Sequence, residues 1–158
     1  MEKKLALCIG INDYPGTGSD LSGCVNDAND WGKLLSQKGF TVKKLLDKEA
    51  TRKNILDNMK SLIDPAIKGD SIIFQYSGHG TYIADKDGDE SDGTDECLCP
   101  SDLLYKGRRG ISIHRCHLIH RHPYRLYKFH ARNIEILLSP LLWRSQLMIS
   151  CCQGYFFG

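Results

Sequence analysis

The chain has 158 residues, 41% of them apolar and 25% charged, with a formal net charge of +2. That is the length of one domain, enough to bury a core without disulfide staples, and so balanced a charge gives no nucleic-acid or membrane-surface bias. No run of about 18 uncharged apolar residues exists, so no membrane span is expected; with an acidic Glu2 and a short apolar start, no signal peptide is expected either, and the expected location is cytoplasmic.

Lys4–Gly10 (KLALCIG) is a short apolar run ending in glycine, which predicts a buried strand entering a loop. Cys24–Lys38 places Val25, Ala28, Trp31, Leu34 and Leu35 at helical spacing, and Gly39 stops that helix. Phe40–Leu46 predicts a second strand. Thr51 caps a second helix with an apolar stripe of Ile55, Met59, Leu62, Ile63 and Ala66, disrupted near Asp64-Pro65. Gly69-Asp70 is a turn, and Ser71–Tyr76 (SIIFQY) predicts a central strand. Strand–helix–strand–helix–strand in this order predicts an α/β fold: a parallel sheet with helices on its faces. In such sheets functional groups gather beyond the carboxyl ends of the strands. The loops after Gly10 and after Tyr76 occupy those places. Residues 82–99 form an acidic, glycine-punctuated excursion, read as a loop or hairpin at the rim.

The composition changes sharply near residue 112. Residues 1–112 hold 15 Lys or Arg against 18 of the 19 acids, whereas residues 113–158 hold six Lys or Arg, one acid (Glu135) and five of the six histidines. Seven cysteines at irregular spacing do not form a disulfide framework, and reduced thiols are expected.

Chemistry concentrates in four places. In Tyr76-Ser77-Gly78-His79-Gly80, a histidine lies between two glycines just past a buried strand, so the ring is open to a substrate and can serve as a general base or partner a thiol. In Leu21–Ala28 (LSGCVNDA), Asp27 falls in the first turn of a helix. There a carboxylate suits the helix dipole; beside the His79 loop it can instead recognise a cationic side chain. Cys24 in the same turn is a thiol near a helix N-terminus, where thiolates are favoured. The acids Asp85, Asp87, Asp89, Glu90, Asp92, Asp95 and Glu96 suit Ca²⁺ by their density of hard oxygen ligands, but they miss the EF-hand register, and a solvated acidic loop explains them equally well. Cys116, His117, His120 and His122 raise a zinc site whose spacing matches no standard finger.

Together, KLALCIGINDY, LSGCVNDA, GDSIIFQYSGHGT and DGTDECLCPSDLL resemble the N-terminal, large-subunit part of a caspase-like cysteine peptidase of the metacaspase and bacterial C14 group, over residues 4–112. The resemblance implies a mainly parallel sheet flanked by helices in three layers, incomplete at the C-terminus. It divides the chain into a caspase-like catalytic part, 1–112, and an atypical basic, His-rich tail, 113–158. It implies that His79 is the histidine of a Cys–His dyad, with Ser77 lining the same site and backbone N–H groups near Gly80 holding the oxyanion. Asp27 matches the acid that binds Lys or Arg at the residue preceding the cut. Cys24 matches a second thiol near that pocket, and Asp95 matches a ligand in Ca²⁺-activated members. The chemistry itself requires no cofactor. The implied partners are peptides or proteins with a basic residue at the cut, and neither nucleic acid nor membrane.

The pattern ends where the composition changes. The family's acidic helix start after the CPSD segment is replaced by Ile113-His114-Arg115, and its D-x-C-H-S-G nucleophile strand is missing. Cys151-Cys152, 72–73 residues after His79, has some likeness to it, and Cys152 is the candidate nucleophile. A frameshift or a wrongly predicted reading frame near codon 112 is the leading expectation for the break, since Leu141-Leu142-Trp143, if written CTG-CTG-TGG, reads Cys-Cys-Gly one nucleotide over; the alternative is a genuine, divergent C-terminus using Cys151 or Cys152. Two functions follow. One is a cysteine endopeptidase domain cutting after Arg or Lys, inactive in this form if the nucleophile is lost. The other is a non-catalytic caspase-like module for interaction or Ca²⁺ binding.

Overall fold

The computed structural model describes residues 2–84, 93–103, 117–118, 136–139 and 146–152. Strand β1 (Lys4–Gly10) is buried over its last five residues. It leads through a loop to helix α1 (Cys24–Gln37), strand β2 (Thr41–Leu46), a short 3-10 turn at Asp47–Glu49, helix α2 (Arg52–Ile63) and strand β3 (Ser71–Ser77). The sequence reading places the three strands and α1 to within a residue or two and starts α2 at its Thr51 cap, but it does not foresee the 3-10 turn. α2 stops at Ile63, just before Pro65 would cost a backbone donor.

β2, β1 and β3 pair in parallel, with Leu5 opposite Thr41 and Lys4 opposite Ser71. The side chains of β1 divide by period two. Leu7 and Ile9 join Ile55, Met59, Ile63, Phe74 and Tyr76 in the core under α2. Ala6 and Cys8 face α1 with Ala28 and Leu35. The α1 face is lined by small residues, so this helix approaches the sheet closely. A Cβ on Gly10 would lie 2.4 Å from the Cys24 carbonyl oxygen and 2.9 Å from Ala28 Cβ. Burial in this layer pushes the Cys8 thiol up to about 11, against an opposing pull from the Lys44 ammonium. Cys8 is therefore a core residue and not a reactive one.

The five-stranded sheet has the order β2-β1-β3-β8-β7, the expected parallel core flanked by helices, with two antiparallel strands added on the β3 side. β8 (Gln146–Cys152) runs antiparallel to β3, and β7 (Ile136–Ser139) antiparallel to β8. Both lie within apolar runs that can pair at the sheet's open side. The acidic excursion is a hairpin, β4 (Gly80–Ala84) against β5 (Thr94–Leu98), with β6 (His117–Leu118) added to β5 in a second sheet. Residues 85–92, with most of the expected Ca²⁺-binding acids, lie outside the described residues, as do Cys116, His120 and His122 of the zinc reading and most of the basic tail. Among the described residues no helix is long and apolar enough to cross a membrane.

Two ties set the frame. Asp70 accepts hydrogen bonds from the Lys3 N–H at 2.8 Å and the Ile67 N–H at 3.1 Å, joining the start of β1 to the turn before β3. Asp102 accepts from the Arg52 N–H at 2.8 Å, which sets a carboxylate at the positive end of α2 beside the Thr51 cap.

Two outcomes follow for stability. Gly10→Ala drives a Cβ into the backbone of α1 and is expected to cost about 1–3 kcal/mol, read as a lower urea midpoint; an unchanged midpoint would mean that α1 does not rest on β1. The two N–H donors hold the Asp70 carboxyl below the usual carboxylate range, the Lys3 bond contributing most. A depressed folded-state pKa stabilises above the unfolded value of about 3.9 and is lost as pH falls through the folded value. The midpoint difference between wild type and Asp70→Asn therefore narrows as pH drops below about 4, and a difference constant with pH would refute the assignment.

Candidate active site

The carboxyl ends of β1 and β3 lie side by side, with Gly10 opposite Ser77 and the Ile11 N–H donating to the Ser77 carbonyl at 2.9 Å. Gly10 lets the first turn of α1 settle over this point. Gly23, at φ 103°, turns the chain into the helix but offers no side-chain cap. Asn12 supplies the cap from the loop: its Oδ1 accepts from the Cys24 N–H at 2.9 Å. The loop is held in turn by Asp47, whose Oδ1 accepts from the N–H groups of Asn12 at 2.7 Å and Asp13 at 3.0 Å. Asp47 has φ 43°, a left-handed conformation that a non-glycine residue keeps only where its surroundings compel it.

This scaffold brings the two sequence-identified loops together. Ser77, wholly buried at the end of β3, donates from Oγ to Asp27 Oδ2 at 2.8 Å. The other carboxylate oxygen has no hydrogen-bond partner among the described residues. Asp27 also borders a shallow cavity of about 160 Å³ with Asp30, Trp31 and Leu34. Two positions beyond Ser77, the His79 imidazole is half-buried, and its Nε2 lies 2.6 Å from the Ser19 carbonyl oxygen. A carbonyl only accepts, so Nε2 carries the proton and Nδ1 is the ring nitrogen left to exchange one. The Tyr14 ring packs on the imidazole, with centroids 4.8 Å apart at 53°.

The remaining candidates lie at varied distances from this pair. Cys24 is in the same turn as Asp27, but its residue is 3% exposed, and its burial is that of a core thiol. Gly80 is exposed at the start of β4, where a Cβ would meet nothing closer than the Cys97 carbonyl at 3.6 Å. Asp95 stands in β5 opposite Ile83, on the hairpin leading away from Ser77. Among the described residues no three His, Cys, Asp or Glu side chains gather as metal ligands.

Cys152 is not brought to His79. β8 is antiparallel, so its last residue pairs with Ser71 while Gln146 pairs with Ser77. At about 3.3 Å per residue, six steps of strand put the Cys152 backbone roughly 20 Å from the end of β3 that carries the histidine. A thiol at the carboxyl end of a strand beside β3 reaches His79 only if that strand runs parallel to β3.

Sequence reasoning did not single out Asn12, Ser19, Asp47 or Tyr14. Asn12 and Ser19 act from an irregular loop, Ser19 through its main chain. Asp47 lies 35 residues from Asn12, and local spacing carries no trace of that bond.

A family model described as "Metacaspase, peptidase C14 domain" matches residues 3–119. Metacaspase-1 of Cryptococcus neoformans is 44% identical over 115 residues, covering 66% of this chain and 25% of that protein. Metacaspase-7 of Arabidopsis thaliana is 46% identical over 110 residues, covering 63% of this chain and 27% of that one. A crystal structure of a Geobacter sulfurreducens protein is similar at a TM-score of 0.55 and 36% identity, covering 63% of this chain and 40% of that one. The chain thus spans about a quarter of the length of the two metacaspases.

Proposed function

The chain belongs to the metacaspase family of C14 peptidases, and from that premise we propose that it is the histidine-bearing part of a cysteine endopeptidase that cuts after Arg or Lys, and is inactive as written. By family it is a cysteine peptidase domain. The observation that carries the finer reading is the Ser77–Asp27 hydrogen bond at 2.8 Å, which draws the acid to the rim on which His79 stands.

The chemistry runs as follows. A thiol gives its proton to His79 Nδ1, and the thiolate attacks the peptide carbonyl. The resulting imidazolium returns that proton to the leaving amine as the C–N bond breaks. The acyl-enzyme is then hydrolysed by water, which His79 deprotonates in turn. Backbone N–H groups near Gly80 hold the oxyanion, and the Asp27 oxygen not bound by Ser77 receives the ammonium or guanidinium of the substrate. Ca²⁺ activation and Asp95 as its ligand enter as an arm of the assay, and no step depends on them.

The nucleophile is assigned to the other reading frame, at codons 141–143, which would restore a Cys-Cys-Gly run 62 residues or so after His79. A second reading, a non-catalytic caspase-like module, is favoured by the antiparallel register that carries Cys152 away from His79.

A fluorogenic peptide ending in Arg or Lys, with and without Ca²⁺, separates the readings. The chain as written is expected to be silent, and a chain shifted by one base near codon 112 to cleave. In the active chain His79→Ala lowers kcat by about 10²–10⁴-fold, and Asp27→Asn lowers kcat/KM by on the order of 10²-fold. Full activity in His79→Ala would end the dyad reading. Activity of the unshifted chain that vanishes in Cys152→Ala would show the tail to be genuine. Coding DNA that yields no D-x-C-like strand in either shifted frame would dispose of the frameshift.

A further inference from the structure

Tyr14 lies in the loop after β1 yet is 1% exposed. Its main chain is braced within the loop: its N–H donates to Asp20 Oδ1 at 2.9 Å, and its carbonyl accepts from Thr17 Oγ1 at 2.7 Å. From that base the phenol crosses to the loop after β3. Tyr14 Oη accepts the His79 N–H at 2.8 Å and lies 3.2 Å from the Cys99 carbonyl and 3.3 Å from Tyr76 Oη. Tyr76 Oη lies 2.8 Å from the His79 carbonyl and 2.7 Å from that of Cys99. The Cys99 N–H closes the ring by donating to the His79 carbonyl at 3.0 Å.

Each phenol has one proton, so the roles are constrained. The two carbonyls can only accept. The His79 N–H needs an acceptor, and the hydroxyl that takes it is that of Tyr14. Burial keeps both phenols above their ordinary range, so both hydroxyls stay protonated at neutral pH. The same two oxygens explain Gly78. A Cβ there would lie 2.5 Å from Tyr76 Oη and 2.6 Å from Tyr14 Oη, so the hydroxyls occupy the space a side chain would need.

We propose that Tyr14 is a positioning residue for His79: its hydroxyl fixes the histidine's peptide N–H while its ring backs the imidazole, so that Nε2 meets the Ser19 carbonyl and Nδ1 is turned to the reaction. This rests on the reading of His79 as the acid–base group. Neither contact alone would suffice. A main-chain bond leaves the ring free to rotate, and a ring contact leaves the loop free to shift. Tyr76, which bonds the histidine through its carbonyl alone, steadies the strand end and the Cys99 crossing.

The test uses the full chain labelled with ¹⁵N, so that it needs no peptidase activity. His79→Ala assigns the ring signals among the six histidines. In wild type the His79 amide is expected to be protected from exchange, and its ring to show one tautomer protonated at Nε2. Tyr14→Phe keeps the ring and removes the acceptor, and is expected to speed His79 amide exchange by about tenfold. Tyr14→Leu also removes the ring, and is expected to mix the two tautomers. In both, the amides of Leu7 and Ile9 in β1 keep their wild-type rates. Unchanged exchange and an unchanged tautomer in both variants would overturn the proposal. So would acceleration spread evenly through β1 and β3, since that is the mark of general loosening. If the amide and ring respond while the frame-restored His79→Ala still cuts peptides, the peptidase reading fails and the placement by Tyr14 stands. If that variant is dead but neither signal moves, Tyr14 alone is refuted.

Discussion

The first turn of α1 rests on the carboxyl end of β1 with no atom to spare. Because position 10 has no side chain, the backbone at Cys24 can come down onto the sheet, and Ala28 follows it one turn later. This close approach brings Asp27 within reach of Ser77. A larger residue at position 10 would lift the helix and with it the carboxylate. The asparagine cap, the constrained Asp47 and the buried hydroxyl of Ser77 all act on a geometry that this contact has already set.

Most of the frame could be read from residue types. The apolar run of β1, the helical spacing of apolar residues in α1, the Thr51 cap and the Gly69-Asp70 turn are local signals, and local signals survive in sequence. Asp27 and His79 were legible for a related reason: each sits at the end of a recognisable element, where a parallel sheet exposes its chemistry. The supporting bonds were not legible. The partners of Asp47, Asn12 and Tyr14 are joined across 35, 12 and 65 residues, and no periodicity encodes such separations. The direction of β8 was hidden as well. An apolar run states that a segment pairs, while its polarity follows from the connection before it.

The histidine half of the site and the thiol half stand in unequal relation to the fold. Imidazole, acid and the Ser19 carbonyl all lie before residue 103, tied to one another's elements by the Ser77–Asp27, His79–Tyr14 and His79–Ser19 contacts. The cysteine pair of β8 belongs to a strand whose direction sends it to the far pole of the sheet. A dyad demands that two groups meet within hydrogen-bond reach. The antiparallel direction of β8 keeps its cysteine pair from that meeting, in a part of the chain that lies beyond the family match at residue 119.

The carbonyl of Cys99 has a consequence for synthesis. As the chain leaves the ribosome, the three parallel strands and two helices have all of their mutual pairings once residue 77 has emerged, ahead of β8. At that stage Tyr14 and Tyr76 have one another but not the acceptor that draws both hydroxyls to a single point, which arrives 22 residues later with Cys-Pro-Ser-Asp. The bonds that latch the histidine loop therefore become available only after the three parallel strands have emerged.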